Sequence, residues 1–190
     1  HDWYHLNGNW NEWQRLEWKF RIPKGFQPTT KFCHLHQLKA QEGNNGAPLI
    51  TISTRCDKDG GNKRVQVIHT GDTRTSGKGV IIDNLPLADF EDEWIQVETE
   101  MHYTHHGTFR IKLTRISDGK VLADQSFADV DLWRKGATSI RNKFGIYRSL
   151  GRKMQSASDR PDNGLKDESL QLADFKVYEA HTNPNPQPHD

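Results

Sequence analysis

Between Glu12 and Ile22 the chain alternates: Leu16, Trp18, Phe20 and Ile22 fall on one side, and Arg15, Glu17, Lys19 and Arg21 on the other. A period of two is the signature of a β-strand with one dry and one wet face. Similar short runs recur at 31–40, 48–56, Arg64–Ile68, Gly79–Asp83, Trp94–Tyr103, Thr108–Ile116, Lys120–Ser126, Lys143–Arg148 and Leu170–Tyr178. Turn-forming stretches separate them, among them Asp57-Lys58-Asp59-Gly60-Gly61, His69-Thr70-Gly71-Asp72 and Ser117-Asp118-Gly119. Only Leu132–Lys135 and Ala88–Asp92 read as helical, and both are brief. Many short strands at even spacing predict an all-β domain of two packed antiparallel sheets, a sandwich or jelly roll.

The 190 residues suffice for one domain with a sizeable core, expected over 1–180, with 181–190 a disordered, Pro-rich polar tail. Gly151 to Glu168 is a long polar loop of the kind that carries function or moves. Mean hydropathy is −0.88, and no apolar run approaches the ~20 residues of a membrane span, which excludes a transmembrane helix. Lys and Arg number 26 against 25 Asp and Glu, so a molecule-wide basic field for nucleic acid is absent. Any hold on an anionic partner must therefore come from local placement, and the chain is expected to act as a monomer. Six tryptophans are many for this length and suit either the core or a sugar-stacking surface. No signal peptide is visible, so a mature secreted or periplasmic chain would have lost it before His1.

The run 31–40 and the run 48–56 flank Gln41-Glu42-Gly43-Asn44-Asn45-Gly46-Ala47, which predicts a hairpin. A register symmetric about Asn44 and Asn45 sets Cys33 opposite Cys56, either as a disulfide or as two buried free thiols. In that register Cys33, Leu35 and Gln37 oppose Cys56, Thr54 and Ile52 on the apolar side. His34 and His36 oppose Arg55 and Ser53 on the polar side. Adding Arg15, Glu17 and Lys19 from the first run makes a polar sheet face rich in cations. Two imidazoles at i and i+2 on one face suit catalysis or a metal. No nearby Cys or carboxylate completes a zinc set. Asp57 and Asp59 are weak calcium candidates, since the distal Glu of such a loop is missing and a plain turn explains them.

Three segments, in order, resemble those of the β-jelly-roll polysaccharide lyases, the group of alginate lyases, glucuronan lyases and heparin lyase I-like enzymes. Arg15-Leu16-Glu17-Trp18-Lys19 is similar to their Arg-x-Glu-Leu-Arg strand, with Lys in place of the last Arg. His34-Leu35-His36 stands where they carry Gln-x-His. Lys143-Phe144-Gly145-Ile146-Tyr147 matches their Lys-x-Gly-x-Tyr, and Asn142–Ser149 followed by Leu172–Phe175 looks most like the heparin lyase I-like branch. The resemblance spans Arg15 to Phe175, nearly the whole chain. It implies a concanavalin A-like sandwich with a concave substrate cleft. Strand parity agrees with it, because Lys143, Gly145 and Tyr147 share one face while Phe144 and Ile146 take the other.

The resemblance further implies β-elimination on a 1,4-linked uronate polymer, glucuronan-like or alginate, with no cofactor required beyond an optional structural calcium. Such a reaction removes the weakly acidic C5 proton, so the enzyme must neutralise the neighbouring carboxylate and supply a base and an acid. Arg15, His34 and His36 would neutralise. Tyr147 would protonate the departing O4, and either Tyr147 or His36 would be the base, depending on which side of the ring carries the C5 proton. An ordinary tyrosine has a pKa of ~10, and Lys143 and Arg15 would lower it. Lys143, Arg55, Arg148 and Glu17 are expected at the substrate, with Gln37 reaching it only if a bulge shifts the register. Two rivals remain: a non-catalytic carbohydrate-binding jelly roll, and a copper site built on His1.

Overall fold

The computed structural model describes residues 7–150 and 165–184. The alternating runs become ten strands: β1 (Trp13–Arg21), β2 (Cys33–Gln41), β3 (Ile50–Arg55), β4 (Arg64–His69), β5 (Gly79–Pro86), β6 (Trp94–His102), β7 (Gly107–Arg115), β8 (Val121–Val130), β9 (Ser139–Arg148) and β10 (Gln171–Ala180). They form two five-stranded antiparallel sheets, in the order β10-β1-β6-β7-β8 and β5-β4-β3-β2-β9. Two meanders, β2 to β5 and β6 to β8, supply most of each sheet, and β1, β9 and β10 are added by crossing between them. This is the predicted all-β jelly-roll sandwich.

The dry faces meet in the middle. Leu16, Trp18, Phe20, Val97, Ile111 and Leu113 from one sheet pack against Leu38, Ile50, Ile52, Val65 and Val67 from the other, all essentially buried. A polar thread crosses this core. Tyr103 Oη donates to Gln14 Oε1 at 2.7 Å, Asn142 Nδ2 donates to the same oxygen at 3.4 Å, and Asn142 Oδ1 lies 3.0 Å from His36 Nε2. Burial raises the Tyr103 phenol above its ordinary pKa, which keeps it a donor. Gly8 is required by a close approach: a Cβ there would lie 1.9 Å from the Tyr103 ring.

Several expectations change. Leu132–Lys135 is not a helix but an irregular segment that ends in a turn at Lys135, and Arg134 spends its buried guanidinium on backbone carbonyls. It donates to Thr70 O at 2.7 Å, to Ala47 O and Pro48 O at 3.3 Å each, and to Gly71 O, tying three loops together. Ala88–Asp92 shrinks to a 3-10 turn at Leu87–Asp89. The hairpin of β2 and β3 is not symmetric: Cys33 opposes Thr54, His34 opposes Ser53, and the register then slips so that His36 opposes Ile52 and Gln37 opposes Thr51. Cys33 therefore does not face Cys56, and both are buried free thiols. Burial pushes the Cys33 thiol up, and Cys56 Sγ donates to Pro28 O at 3.2 Å. His1, loop residues 151–164 and tail residues 185–190 lie outside the described residues.

Candidate active site

The slip in β2 decides which side chains reach the outer face of the β5-β4-β3-β2-β9 sheet. Cys33 and Leu35 point into the core, and after the bulge His36, Leu38 and Ala40 do so. The outward set is therefore His34, Gln37 and Lys39 rather than His34 and His36. On β9 the alternation is regular. Tyr147 opposes His34, Lys143 opposes Gln37 and Arg141 opposes Lys39, while Phe144 and Ile146 pack against the core. From β3 come Arg55, Ser53 and Thr51, in register with Arg64, Gln66 and Ile68 of β4.

Tyr147 is 62% exposed, its ring centroid 6.2 Å from that of His34 and 5.3 Å from that of Phe32. Phe32 stacks on His34 at 5.0 Å and 18°. His34 Nδ1 lies 2.6 Å from Ser53 Oγ, and Ser53 Oγ donates to Thr51 Oγ1 at 3.1 Å. Burial, and then the Arg55 charge, lower the His34 pKa from 6.5 to about 4, so the ring is neutral at neutral pH. Gly145, between Lys143 and Tyr147, has φ +120° and nothing within 4 Å of a would-be Cβ. The backbone there is open to an approaching ligand, in a conformation that only glycine adopts without strain.

Charge on this face is unbalanced. Partial burial, and then the nearby charges of Lys143 and Arg141, lower the Lys39 pKa. None of the three is in an ion pair among the described residues. Gln37 is nearly buried, at 5% exposure, yet its amide has no protein hydrogen bond among those residues and neither of its polar atoms is sealed off. Row and amide together form a receptive surface for carboxylates.

Other expected site residues lie elsewhere. His36 is 1% exposed, wedged between Trp18 and Phe144 at ring-centroid distances of 5.4 and 4.9 Å, and burial lowers its pKa to about 4. It belongs to the core and cannot touch a bound polymer. Arg15 and Glu17 occupy the outer face of the opposite sheet, because their neighbours Leu16 and Trp18 fill the core. There Arg15 pairs with Glu17 at 2.7 Å and Glu98 at 3.0 Å. Arg148 has the core-side parity, opposite Cys33, and donates to Lys166 O at 2.6 Å. Asp57 is held by Asn62 and Arg64 at 3.0 and 2.9 Å, bonds that keep its carboxyl below the usual range, and Asp59 caps its own turn at Gly61 N. No group of three or more His, Cys, Asp or Glu suited to a metal occurs among the described residues. Sequence reasoning missed Thr51, Lys39 and Arg141. The apolar spacing of β2 held the signal for Lys39, since it changes phase between Leu35 and Leu38.

No family model and no curated protein sequence matches the chain. Solved structures do. A family 7 alginate lyase crystallised as a double variant with substrate is similar at TM-score 0.56 and 11% identity, covering 95% of this chain and 66% of that one. The marine PL-14 alginate lyase of Aplysia kurodai gives TM-score 0.53 and 12% identity over 87% of this chain and 69% of that one. Alginate lyase PA1167 of Pseudomonas aeruginosa gives 0.50 and 17% over 91% and 68%. These likenesses establish a shared β-jelly-roll fold. No helix of the described residues is long and apolar enough to cross a membrane.

Proposed function

We propose that the chain is a polysaccharide lyase that cleaves a 1,4-linked uronate polymer, glucuronan-like or alginate, by β-elimination, leaving an unsaturated uronate at the new non-reducing end. One observation carries the reading: Tyr147, His34, Gln37 and Lys143 converge on one outer sheet face, beside cations that have no carboxylate partner among the described residues. The structural likeness to enzymes named as alginate lyases, one of them determined with an alginate trisaccharide, supports it.

In this reading the substrate carboxylate lies against the Gln37 amide and the Lys143 ammonium, which take over the part that the resemblance gave to Arg15, His34 and His36. Drawing charge from that carboxylate acidifies the C5 hydrogen. As the C5–H bond breaks, its proton passes to a base on the same face, its electrons form the C4–C5 double bond, the C4–O4 bond breaks, and Tyr147 Oη gives its proton to O4. Gly145 lets the sugar sit against the strand between the two groups. Such an enzyme would work outside the cytoplasm, where these polymers occur.

The test is Tyr147→Phe against the parent chain on glucuronan, alginate, heparin, hyaluronan and ulvan, followed by the ultraviolet absorbance of the unsaturated product. Loss of general acid catalysis lowers the rate by ~10²–10⁴-fold. A variant that keeps the parent rate refutes the role of Tyr147. Binding of a polymer with no turnover by the parent makes the chain a carbohydrate-binding jelly roll instead.

A further inference from the structure

The hydrogen bonds around His34 set it apart from the glutamine that the resemblance would put there. Ser53 has one hydroxyl proton, and the geometry directs it to Thr51 Oγ1 at 3.1 Å. Ser53 is fully buried, so no solvent proton substitutes for it. Its oxygen, 2.6 Å from His34 Nδ1, must then accept, which places the imidazole proton on Nδ1. A neutral imidazole has only one N–H, so Nε2 carries a lone pair. That nitrogen makes no protein hydrogen bond among the described residues and is not sealed in.

We infer that Ser53 and Thr51 are positioning residues: their hydroxyl relay holds His34 in the Nδ1–H tautomer, so that Nε2 is the base that takes the C5 proton. The inference rests on the lyase reading. A lone pair cannot donate to a carboxylate, so His34 does not do what a glutamine would do there, and Gln37 supplies the amide donor. During the step the C5 proton passes to Nε2 and the C5–H pair becomes the new double bond. O4 leaves with the Tyr147 proton. The imidazolium keeps its Nδ1–H bond to Ser53, and water returns the proton from His34 to the tyrosinate.

The test combines nitrogen NMR of histidine-labelled protein at neutral pH with steady-state kinetics. His34→Gln assigns the resonance. The parent should show the proton on Nδ1. Thr51→Val is nearly isosteric and removes the acceptor, freeing the Ser53 proton to turn toward Nδ1. His34 should then shift to the Nε2–H tautomer and kcat should fall about tenfold, the worth of one hydrogen bond, with little change in KM. Thr51→Ser, which keeps an acceptor oxygen, should restore both readouts, and Ser53→Ala should lose the preference for Nδ1. A parent spectrum with the proton on Nε2, or a Thr51→Val protein with unchanged tautomer and kcat, overturns the relay. A parent with the expected tautomer and no turnover on any polymer overturns the base role together with the lyase reading, and the spectrum separates that failure from failure of the relay.

Discussion

His36 offers a quantitative test of where the β2 bulge places the second imidazole. Burial in an aromatic cage lowers its pKa from 6.5 to about 4 in the folded protein. At neutral pH neither the folded nor the unfolded chain holds the proton, so the stability associated with the neutral ring is fully present. As pH falls through 6.5 the unfolded chain binds a proton that the folded chain refuses until about 4, and stability drains away across that window. At roughly 1.4 kcal/mol per pH unit, the full loss amounts to about 3–4 kcal/mol. His36→Gln keeps a donor for Asn142 Oδ1 but has no such titration. By urea unfolding followed through tryptophan fluorescence, the variant should be less stable than the parent by about 1–2 kcal/mol near neutral pH, through lost ring packing. The difference should shift in the variant's favour by about 2–3 kcal/mol near pH ~4.5, so that the two become equal or reverse. Other titrating groups are common to both proteins and cancel. A stability difference that stays constant between the two pH values would refute the buried, neutral placement of His36.

Arg15→Ala should leave turnover at the parent rate and cost under ~1 kcal/mol in a thermal melt, since its ion pairs are partly exposed and on the far sheet face; a large drop in activity would return Arg15 to the site. Arg134→Leu removes a buried guanidinium and strips the loop carbonyls of Thr70, Gly71, Ala47 and Pro48 of their donor, and should cost about 3 kcal/mol or more, read as a large fall in melting temperature. Gly145→Ala meets open space but a forbidden backbone angle, so a cost of about 1–3 kcal/mol with weakened polymer binding is expected from denaturation and titration; an unchanged stability would show that β9 relaxes there freely.

The strand alternation was enough to establish the two-sheet sandwich, because period-two patterning depends only on which side chains avoid water. It also placed Lys143, Gly145 and Tyr147 on one face, since β9 runs through them without a break in phase. The face of His36 and Gln37 was not available from that rule. A single bulged residue reverses every later side chain on a strand, and the symmetric hairpin hid it, although the phase change from Leu35 to Leu38 marks it in retrospect. The segment around Arg15 looked like a site strand because its local alternation says only that one side is wet. Which of the two outer faces that side belongs to depends on sheet membership, and β1 joins β6 and β10 through pairings with residues some 80 and 160 positions away. Local sequence thus determined the strands and their wet and dry sides. Long-range pairing alone decided which wet sides share a face, because hydrogen-bonded register is settled between strands rather than within them.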